Sequence, residues 1–318
     1  MKKLLSVLLL SLSFCLLFSF SKCAYASASY DKDVYSYLAI GHDDAYGNTD
    51  VLALISYNAR INHISVVRIP RDTYYNSGYY QNKINQIYPA LINEGKTREE
   101  AYSLLTDAVS NTFGVRLRGY VAMSTGSFVN FVNQLGGVRL TVDSDFEYLQ
   151  ELSISGINLK LGENLLSGEE ALKIIRHRSN YAGGDLARID AQRLVFEGLF
   201  RTVFELVRGE GGRKFFSAAR ENTVSNFSLF DLIVMVVKHS SKFKTVEFLY
   251  FTLPGKAYKT ESGLWYYQIN KEGASSALGE YLDFSGVLDP EYKLAVSKEI
   301  YFDKDYKLKP YQYKIKQE

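Results

Sequence analysis

Segments with the pattern of strands alternate with segments with the pattern of helices along most of this 318-residue chain, and this alternation limits the possible folds. Val34 to Gly41 is an apolar run with the composition of a buried strand. Two further β-rich runs, Val51 to Tyr57 and Ile64 to Ile69, are separated by a short segment typical of a hairpin. Strands that alternate with helices predict an α/β fold with a central sheet covered by helices. The early hairpin predicts that the sheet is mixed rather than purely parallel.

The clearest helix is predicted for Thr97 to Phe113. Apolar residues recur there at helical spacing, Thr97 and Glu100 form a capping-box pattern, and Gly114 suits the position after the helix end. Similar patterns predict helices at Thr125–Leu135, from Ser167 through Ile175, at Leu186–Val207 and at Ser228–Lys238, and strands at Val138–Val142 and Thr245–Thr252. Residues 291–318 are rich in lysine and tyrosine with little helical periodicity, so we interpret them as an extended basic tail or an addition to a sheet edge.

An export signal is predicted at the N-terminus. Lys2 and Lys3 precede an apolar run from Leu4 to Phe20, and Ala24-Tyr25-Ala26 has the small-x-small pattern of a cleavage site. The apolar run is also long enough to span a bilayer. We therefore expect residues 1–26 to act either as a cleaved signal peptide or as a retained membrane anchor, with the rest of the chain extracytoplasmic.

The cysteines and the charge restrict the chemistry of the exported part. Cys15 and Cys23 both lie in the leader, so no disulfide is expected and the core must supply the stability. The formal net charge of +2 includes the leader residues Lys2, Lys3 and Lys22, and becomes −1 without them. A near-neutral domain is not a general nucleic-acid-binding protein, so an anion site requires a local group of arginines. The sequence has no glycine-rich phosphate loop, serine-nucleophile motif or His/Cys metal set, which argues against nucleotide use and zinc.

Three groups of polar residues are candidates for a functional site. The first is acidic, with Asp43 and Asp44 in a loop and Asp50 at the start of the next strand. Carboxylates placed in this way can converge on Mg²⁺, which binds one or two carboxylates and completes its shell with water and phosphate oxygens. The alternative is that they are ordinary turn residues, because Asp is common in loops.

The second group directly follows a strand. Arg71 and Asp72 come after Pro70, and α/β proteins bind ligands at polar residues beyond the carboxyl ends of strands. Lys83 and Asn85 follow nearby. The alternative is a surface salt bridge that caps the strand, beside solvated loop residues.

The third group has the most specific pattern. Arg176 and Arg178 end one predicted helix, and in an extended segment two residues at this spacing face the same way. Asp185, Arg188 and Gln192 open the next helix and share one of its faces. Arginine binds phosphate through paired hydrogen bonds, and three arginines with one nearby acid repel each other unless a polyanion is present. The alternative is a solvated basic face.

In order and spacing these groups resemble the LytR-CpsA-Psr family. The matching segments are Gly41-x-Asp43, Thr49-Asp50, Ile69-Pro70-Arg71-Asp72-Thr73, Lys83-Ile84-Asn85, Leu135-Gly136-Gly137-Val138, Leu166-Ser167-Gly168-x-x-Ala171-Leu172, Arg176-x-Arg178 and Asp185-x-x-Arg188-x-x-x-Gln192. The resemblance covers Val34 to Phe284 and implies one catalytic domain over residues 34–284. Two arginines that the family usually has near its aspartates are replaced by Ala45 (or a neighbouring residue) and Asn48, which leaves open whether Asp43 or Asp44 is the metal ligand.

The resemblance implies a metal-dependent ligase of the bacterial envelope, located at the outer face of the cytoplasmic membrane or in the cell wall. The implied fold is a three-layer α/β/α arrangement with an apolar tunnel for a lipid chain. Such an enzyme moves a glycopolymer, for example teichoic acid or capsule, from undecaprenyl pyrophosphate to a sugar hydroxyl of peptidoglycan and forms a phosphodiester.

The resemblance also implies roles for individual residues. Those expected to hold Mg²⁺ or Mn²⁺ are Asp43 and Asp50. Those expected to bind the pyrophosphate are Arg71, Arg176, Arg178 and Arg188. Those expected to contact substrate or to orient arginines are Lys83, Asn85, Asp185 and Gln192. Asp72 is expected to act either as a general base or as a partner that orients Arg71.

Other functions are left open by the sequence. A pyrophosphate hydrolase would use the same site with water as the acceptor. A non-catalytic binder of polyprenyl lipid or glycan would keep the arginines and the tunnel without needing Asp50. A DNA-binding regulator is opposed by the export signal, the neutral charge and the lack of a helix-turn-helix pattern. The expected partners are therefore a lipid-linked glycan, peptidoglycan and the membrane surface, with no nucleic acid.

Overall fold

The computed structural model describes residues 30–44, 49–75, 82–142, 157, 159–176, 184–208, 211–228, 231, 234–235, 238–239, 241–260, 262–286, 300–301 and 313–314. For residues 184–190, 208, 243–244, 300–301 and 313–314 the description is of the backbone alone. The predicted export signal and Arg178 lie outside the described residues.

The described strands form one large sheet and two small ones. They are β1 (Val34–His42), β2 (Thr49–Asn58), β3 (His63–Ile69), β4 (Tyr120–Ser124), β5 (Val138–Val142), β6 (Gly162–Leu166), β7 (Val224–Ser225), β8 (Glu247–Thr252), β9 (Gly255–Lys259), β10 (Trp265–Ile269), β11 (Ile300–Tyr301) and β12 (Tyr313–Lys314). The large sheet has seven strands in the order β12-β8-β3-β2-β1-β4-β7, and the small sheets have the orders β10-β9-β11 and β5-β6.

The directions of the central strands place several strand ends together. β2 is antiparallel to both β1 and β3, whereas β4 is parallel to β1 and β8 is parallel to β3. The carboxyl ends of β1, β3, β4 and β8 therefore lie at one edge of the sheet, next to the start of β2. This edge, which we call the site edge, is where polar loop residues can converge.

Helices cover both faces of the large sheet. They are α1 (Ile87–Asn93), α2 (Arg98–Phe113), α3 (Thr125–Leu135), α4 (Gly168–Arg176), α5 (Gly184–Arg208), α6 (Gly212–Asn222) and α7 (Lys271–Tyr281), with 3-10 turns at Ile84–Gln86 and Lys242–Thr245. Within the described part of the chain, no helix combines the length and the hydropathy needed to cross a bilayer.

Alternate residues of the central strands build two different layers. One face, which we call the α1/α2 face, carries Leu38, Leu52 and Val67, packed in one apolar cluster with Leu105 and other residues of α1, α2 and α7. The opposite face, the α5 face, carries residues such as Ala53 and Ile64, packed with phenylalanines of α5. The predicted α/β fold with a mixed central sheet between helical layers is confirmed.

Local sequence signals placed many of these elements correctly. The helix predicted at Thr97–Phe113 is α2, with both halves of the Thr97–Glu100 capping box formed and Gly114 in the left-handed region at φ 62°. The predicted hairpin and the helix at Thr125–Leu135 are also present. The strand predicted at Thr245–Thr252 begins only at Glu247, because Lys242–Thr245 forms a 3-10 turn. For the helix predicted at Ser228–Lys238, the described residues between 231 and 239 are helical.

Other elements were not predicted from the sequence. They are α1, α6, α7 and the short strands β4, β6, β7, β9 and β10. Within the region interpreted as a tail, residues 300–301 pair with β9 and residues 313–314 pair with β8, so both segments add to sheet edges.

Candidate functional site

Of the two predicted metal-binding aspartates, Asp50 is the extra residue of a β-bulge at the site edge, and Asp43 lies just beyond this bulge. The register of β1 and β2 shifts between Gly41 and His42, so that His42 pairs with Thr49. Asp43 directly follows β1, and Asp50 is the second residue of β2. Because the two strands are hydrogen-bonded neighbours, Asp43 and Asp50 lie at the same corner of the sheet, although they are not adjacent in the sequence.

Arg71 is held between two carboxylates at the same edge. Its Nη1 donates to Asp50 Oδ1 at 2.9 Å, and its Nε lies 3.6 Å from Asp72 Oδ2. The turn that positions it is closed by a hydrogen bond from Thr73 N to Pro70 O at 2.9 Å. The guanidinium is thus held in place by partners on both sides, which is the arrangement needed to present fixed donors to an anion.

Asp72 is itself paired with a buried lysine. Lys83 Nζ donates to Asp72 Oδ1 at 2.9 Å, and its side chain is 10% exposed. Its ammonium lies 5.3 Å from the centre of the Tyr266 ring, which adds a cation–π contact. Two cations therefore share the carboxylate of Asp72. Of the two predicted roles for Asp72, this geometry matches the orientation of Arg71.

Asn85 is also buried beside these residues, in the 3-10 turn that follows Lys83. Its Oδ1 accepts no hydrogen bond from the described residues. A buried amide oxygen without a donor costs free energy, so Asn85 could accept a hydrogen bond from a bound group.

Asp44 has a different role from Asp43. Its Oδ2 accepts from Thr125 Oγ1 at 2.5 Å and from Gly126 N at 2.8 Å, and so it caps the start of α3. Hydrogen bonds from Ser124 and Thr125, the largest causes, and from Gly126 N hold the pKa of Asp44 below its ordinary value. This carboxylate therefore serves the helix terminus, and the choice between Asp43 and Asp44 as a metal ligand stays a prediction.

A directed chain of hydrogen bonds supports the loop at Asp43. Tyr88 Oη donates to Tyr102 Oη at 3.3 Å, and Tyr102 Oη lies 2.8 Å from His42 Nε2. His42 Nδ1 lies 3.1 Å from the carbonyl oxygen of Asp43, which can only accept. The tautomer that fits both contacts donates through Nδ1 and accepts the Tyr102 proton at Nε2. Burial first, and then the hydrogen bond from Tyr88, raise the pKa of Tyr102 well above its ordinary value, so this proton is retained.

Gln192 orients an arginine, although not one that the sequence pattern indicated. Its Oε1 accepts from Arg68 Nη1 at 2.8 Å and from Tyr250 Oη at 3.3 Å. Its Nε2 donates to the carbonyl oxygen of Ile175 at 2.7 Å, which links α5 to the end of α4. Gln192 is 8% exposed, so it contributes through Arg68 rather than through a free amide.

The third predicted group is only partly described. Arg176 is the last residue of α4 and is exposed, so it lies on a helix rather than in an extended segment. Asp185 and Arg188 lie in the first turns of α5, for which the backbone alone is described, and Arg178 lies outside the described residues. The convergence of these arginines on one anion therefore stays a prediction.

Sequence reasoning missed Arg68 and His42. Arg68 lies within β3, and its alternation with Val67 and Ile69 places it on the α5 face, where it contacts Gln192. A charged residue within an apolar strand was the available signal. His42 gave no signal, because its partners Tyr88 and Tyr102 lie far along the chain on α1 and α2.

The oxygen donors at the corner fit a hard divalent cation. Among the described residues no group of three or more His, Cys, Asp or Glu side chains could hold a metal ion. Two carboxylates at one corner match Mg²⁺, which keeps water and phosphate oxygens in its shell, and do not match the N/S ligands typical of zinc. Of the two carboxylate oxygens of Asp50, Oδ1 already accepts a hydrogen bond from Arg71.

Comparisons with known proteins agree with this fold. The sequence model of the LytR_cpsA_psr family matches residues 20–280. A polyisoprenyl-teichoic acid–peptidoglycan teichoic acid transferase TagU of Oceanobacillus iheyensis is 26% identical over 76% of this chain and 73% of its own length. TagU of Bacillus subtilis is 28% identical, over 78% of this chain and 77% of its own length. The structure of the Lin1025 protein from Listeria innocua superposes with a TM-score of 0.60 at 24% identity, over 79% of this chain and 97% of that one.

The mixed sheet between helical layers and the family model that matches most of the chain together define the class of protein. The chain belongs to the LytR_cpsA_psr family. Its relatives TagU are named as transferases of the cell wall.

Proposed function

We propose that this protein is an exported phosphotransferase that moves a glycopolymer from a polyprenyl pyrophosphate to a sugar hydroxyl of peptidoglycan. The observation that carries the proposal is Arg71, fixed by Asp50 and Asp72 at the edge where four strands end. The names of the relatives support the partners, because TagU is named for a polyisoprenyl-linked teichoic acid donor and a peptidoglycan acceptor.

The proposed reaction is a displacement at phosphorus. The hydroxyl oxygen of the acceptor attacks the phosphorus that carries the glycan, and the bond from this phosphorus to the bridging oxygen breaks. The products are a glycan–phosphate–sugar diester and polyprenyl phosphate, and the hydroxyl proton is released. Such reactions need mainly positioning and stabilisation of charge on the transferred group and the leaving oxygen.

Residues of this chain supply that stabilisation in the proposal. Arg71 donates to the non-bridging phosphate oxygens from a position that Asp50 and Asp72 fix before the substrate arrives. Lys83 holds Asp72, and therefore acts on Arg71 through it. Arg176, Arg178 and Arg188 are proposed to bind the remaining charge of the pyrophosphate, and Asp185 to orient them.

Asp43 and Asp50 are proposed to hold Mg²⁺ or Mn²⁺. When bound, such an ion neutralises charge on the pyrophosphate oxygens. The chain of hydrogen bonds from Tyr88 through His42 keeps the backbone at Asp43 in position, and Arg71 orients the carboxylate of Asp50.

The polyprenyl chain is proposed to lie on the α5 face of the sheet. Ala39 and Ala53 pair across β1 and β2, and the apolar cluster of that face includes Phe196 and Phe200 of α5. In this proposal the two small side chains leave room for an isoprenoid between the sheet and α5. Burial of an isoprenoid there is favourable at about 25 cal/mol per Å² of apolar surface.

Export by residues 1–26, with the domain at the outer face of the cytoplasmic membrane, is part of the same proposal. Its support is the basic, apolar and small-residue pattern of the leader. Sequencing of the N-terminus of the envelope-associated protein tests it, and a protein found in the cytosol with Met1 intact contradicts it.

The decisive experiment compares transfer by the full chain and by Asp50→Ala. The assay supplies a short lipid-pyrophosphate glycan, a peptidoglycan oligosaccharide and Mg²⁺, and detects the phosphodiester product by mass spectrometry. Loss of the group that fixes Arg71 and the proposed metal should lower the rate about 10²-fold or more, or about 2.7 kcal/mol, while the lipid still binds. Glu163→Ala, an exposed carboxylate on β6, is the matched control and should keep full activity.

Two results would contradict parts of this proposal. Product formation that survives both a chelator and Asp50→Ala removes the role of the metal. Release of polyprenyl phosphate without attachment to the acceptor, at every acceptor concentration, identifies a hydrolase instead.

A further inference from the structure

Arg68 brings a positive charge to the α5 face of the sheet, three residues before Arg71. It lies within β3, where its neighbours Val67 and Ile69 are buried in the apolar cluster of the opposite face. Its own side chain is half-buried, and its Nη1 donates to Gln192 Oε1 of α5 at 2.8 Å. The guanidinium is therefore held between the sheet and α5, close to the site edge, by a partner that carries no charge.

The carboxylates on the neighbouring elements are paired with other cations. Glu197, further along α5, accepts a hydrogen bond from Arg193 Nη1 at 3.3 Å. The two aspartates at the site edge are paired with Arg71 and Lys83. Within the described part of the chain, Arg68 forms no ion pair with a carboxylate. A cation in this layer has lost part of its hydration without a counter-charge, so a bound anion would stabilise it.

A buried hydroxyl without a partner lies beside Arg68. Thr252 is the last residue of β8 and is directly opposite Arg68 in the parallel pair of β3 and β8. Tyr250, two residues earlier, points to the α5 face, because its Oη donates to Gln192, and Thr252 therefore points the same way. Thr252 Oγ1 is buried and forms no hydrogen bond with the described residues. Such a hydroxyl can donate to an oxygen of a bound anion.

The apolar surroundings of Arg68 and Thr252 indicate the kind of anion that fits. Arg68 is paired with Ala53 of β2, which is paired in turn with Ala39 of β1. Both alanines pack in the same apolar cluster as the phenylalanines of α5. Polar groups at the end of an apolar layer match a ligand that has an anionic head and an apolar chain.

We propose that Arg68 and Thr252 bind the phosphate that stays on the lipid, whereas Arg71 binds the phosphate that is transferred with the glycan. When the bond from the transferred phosphorus to the bridging oxygen breaks, its electron pair stays on this oxygen, which becomes part of the lipid monophosphate. Arg68 donates to the oxygens of that group and stabilises the charge that develops on it. The inference rests on the proposed function, because it divides the two phosphates of one donor between two arginines.

The test measures binding of two lipids to the full chain, without glycan, acceptor or divalent cation. Geranylgeranyl monophosphate and geranylgeraniol have the same apolar chain, so the ratio of their affinities isolates the contribution of the phosphate. The wild type should prefer the monophosphate by about tenfold or more, the size of one charge-assisted contact. Arg68→Met should remove most of this preference and leave the affinity for the alcohol within about twofold.

Two further variants separate a contact with the ligand from a structural role. Arg68→Lys retains the charge without the planar fork, so its preference for the monophosphate should stay within about threefold of the wild type. Thr252→Val keeps the shape and removes the hydroxyl, and it should weaken the monophosphate about threefold to fivefold without changing the affinity for the alcohol.

Other arginines provide the comparison. Arg71→Gln should leave the affinity for the monophosphate within about twofold, because Arg71 is assigned to the other phosphate. Arg60→Met is the matched control, because Arg60 is an exposed residue in the turn between β2 and β3, at the end of the sheet away from the site edge. It should leave the affinities for both lipids unchanged.

Several results would overturn the proposal. One is a wild type that does not distinguish the monophosphate from the alcohol, and another is a preference that survives in folded Arg68→Met. Equal weakening of both lipids by Arg68→Met would mean that Arg68 is structural. Equal weakening of the monophosphate by Arg68→Met and Arg71→Gln would mean that the two arginines bind one phosphate.

Failure of the proposed function gives a different result. If the wild-type chain binds the monophosphate through Arg68 but transfers no glycan from a lipid pyrophosphate, the transferase proposal fails while the anion site stands. If transfer occurs and Arg68→Met changes neither the transfer rate nor the affinity for the monophosphate, the assignment of Arg68 is wrong while the transferase stands.

Discussion

The two faces of the central sheet are built from the same strands and yet differ in how they are filled. On the α1/α2 face, Leu38 and Leu52 pack against Leu105 and Val109, and all four side chains are fully buried. On the α5 face, Ala39 and Phe200 both pack against the apolar cluster of that face, and both are only partly buried. Alternation along a strand thus gives the two faces separate sets of side chains, and the lipid is proposed to use the α5 face.

The largest expected effect is a loss of stability caused by a substitution in the core of the α1/α2 face. Leu105→Ala should lower the free energy of unfolding by about 3 kcal/mol, because it removes buried apolar surface and leaves a cavity. Leu104 is the matched control, because it is the neighbouring residue on α2 and is 43% exposed. Its change to alanine should cost about 0.5 kcal/mol or less. Urea unfolding measures both, and equal effects would mean that the α1/α2 face is not tightly packed.

A smaller effect is expected on the α5 face, where a substitution should change the affinity for the ligand. Ala39→Leu places a larger side chain in the space proposed for the lipid, so the affinity for a polyprenyl pyrophosphate should fall about tenfold, or 1.4 kcal/mol. Ala108→Leu is the same substitution on α2, where residue 108 packs against the apolar cluster of the α1/α2 face. Overpacking there should cost about 1–3 kcal/mol of stability and leave lipid affinity unchanged. If Ala39→Leu instead destabilises the fold as much as Ala108→Leu and lipid still binds, the α5 face is a closed core as well.

The smallest effect concerns the edge where the two faces meet. Asp44→Asn should cost about 0.5 kcal/mol at neutral pH, because the amide oxygen can still accept from Gly126 N while the negative charge at the start of α3 is lost. The folded pKa of Asp44 lies below its ordinary value of 3.8. Its contribution is therefore fully present above that value, and is lost as the pH falls through the folded pKa. The difference between wild type and Asp44→Asn in urea unfolding should be constant from pH 5 to 7 and shrink towards pH 3. A difference that does not change with pH would show that the charge of Asp44 is not involved.

Local signals explain how much of the fold could be predicted. The helix α2 was predicted together with its ends, because Thr97, Glu100 and Gly114 each satisfy backbone groups within one turn of the chain. The helix α7 was missed, because its glycines and serines have low helix propensity. Its only clear local signal was the N-cap residue Asn270. The strand β6 was missed, because its pairing with β5 rather than its composition makes it a strand.

The sequence predicted which residues belong to the candidate site better than it predicted which of them contact each other. Arg71, Asp50 and Asp72 were singled out by position after or before a strand, and they do lie together. The pairing of Arg68 with Gln192 and of His42 with Tyr102 joins residues 124 and 60 positions apart. Such contacts depend on how α5 and α2 dock on the sheet, and no local pattern encodes that geometry.

The parallel pairing of β3 with β8 has a consequence for how the chain is made. The contact between Asn62 and Thr245 at the start of this pair joins residues 183 positions apart. Until residues 247–252 have been synthesised, β3 is an edge strand with unpaired backbone groups, which can pair with other chains. Closure of so long a loop also slows folding far more than formation of the β1–β2–β3 hairpins. The nascent chain is therefore open to aggregation until its last third is available, and a chaperone that covers β3 during this interval would raise the yield of folded protein.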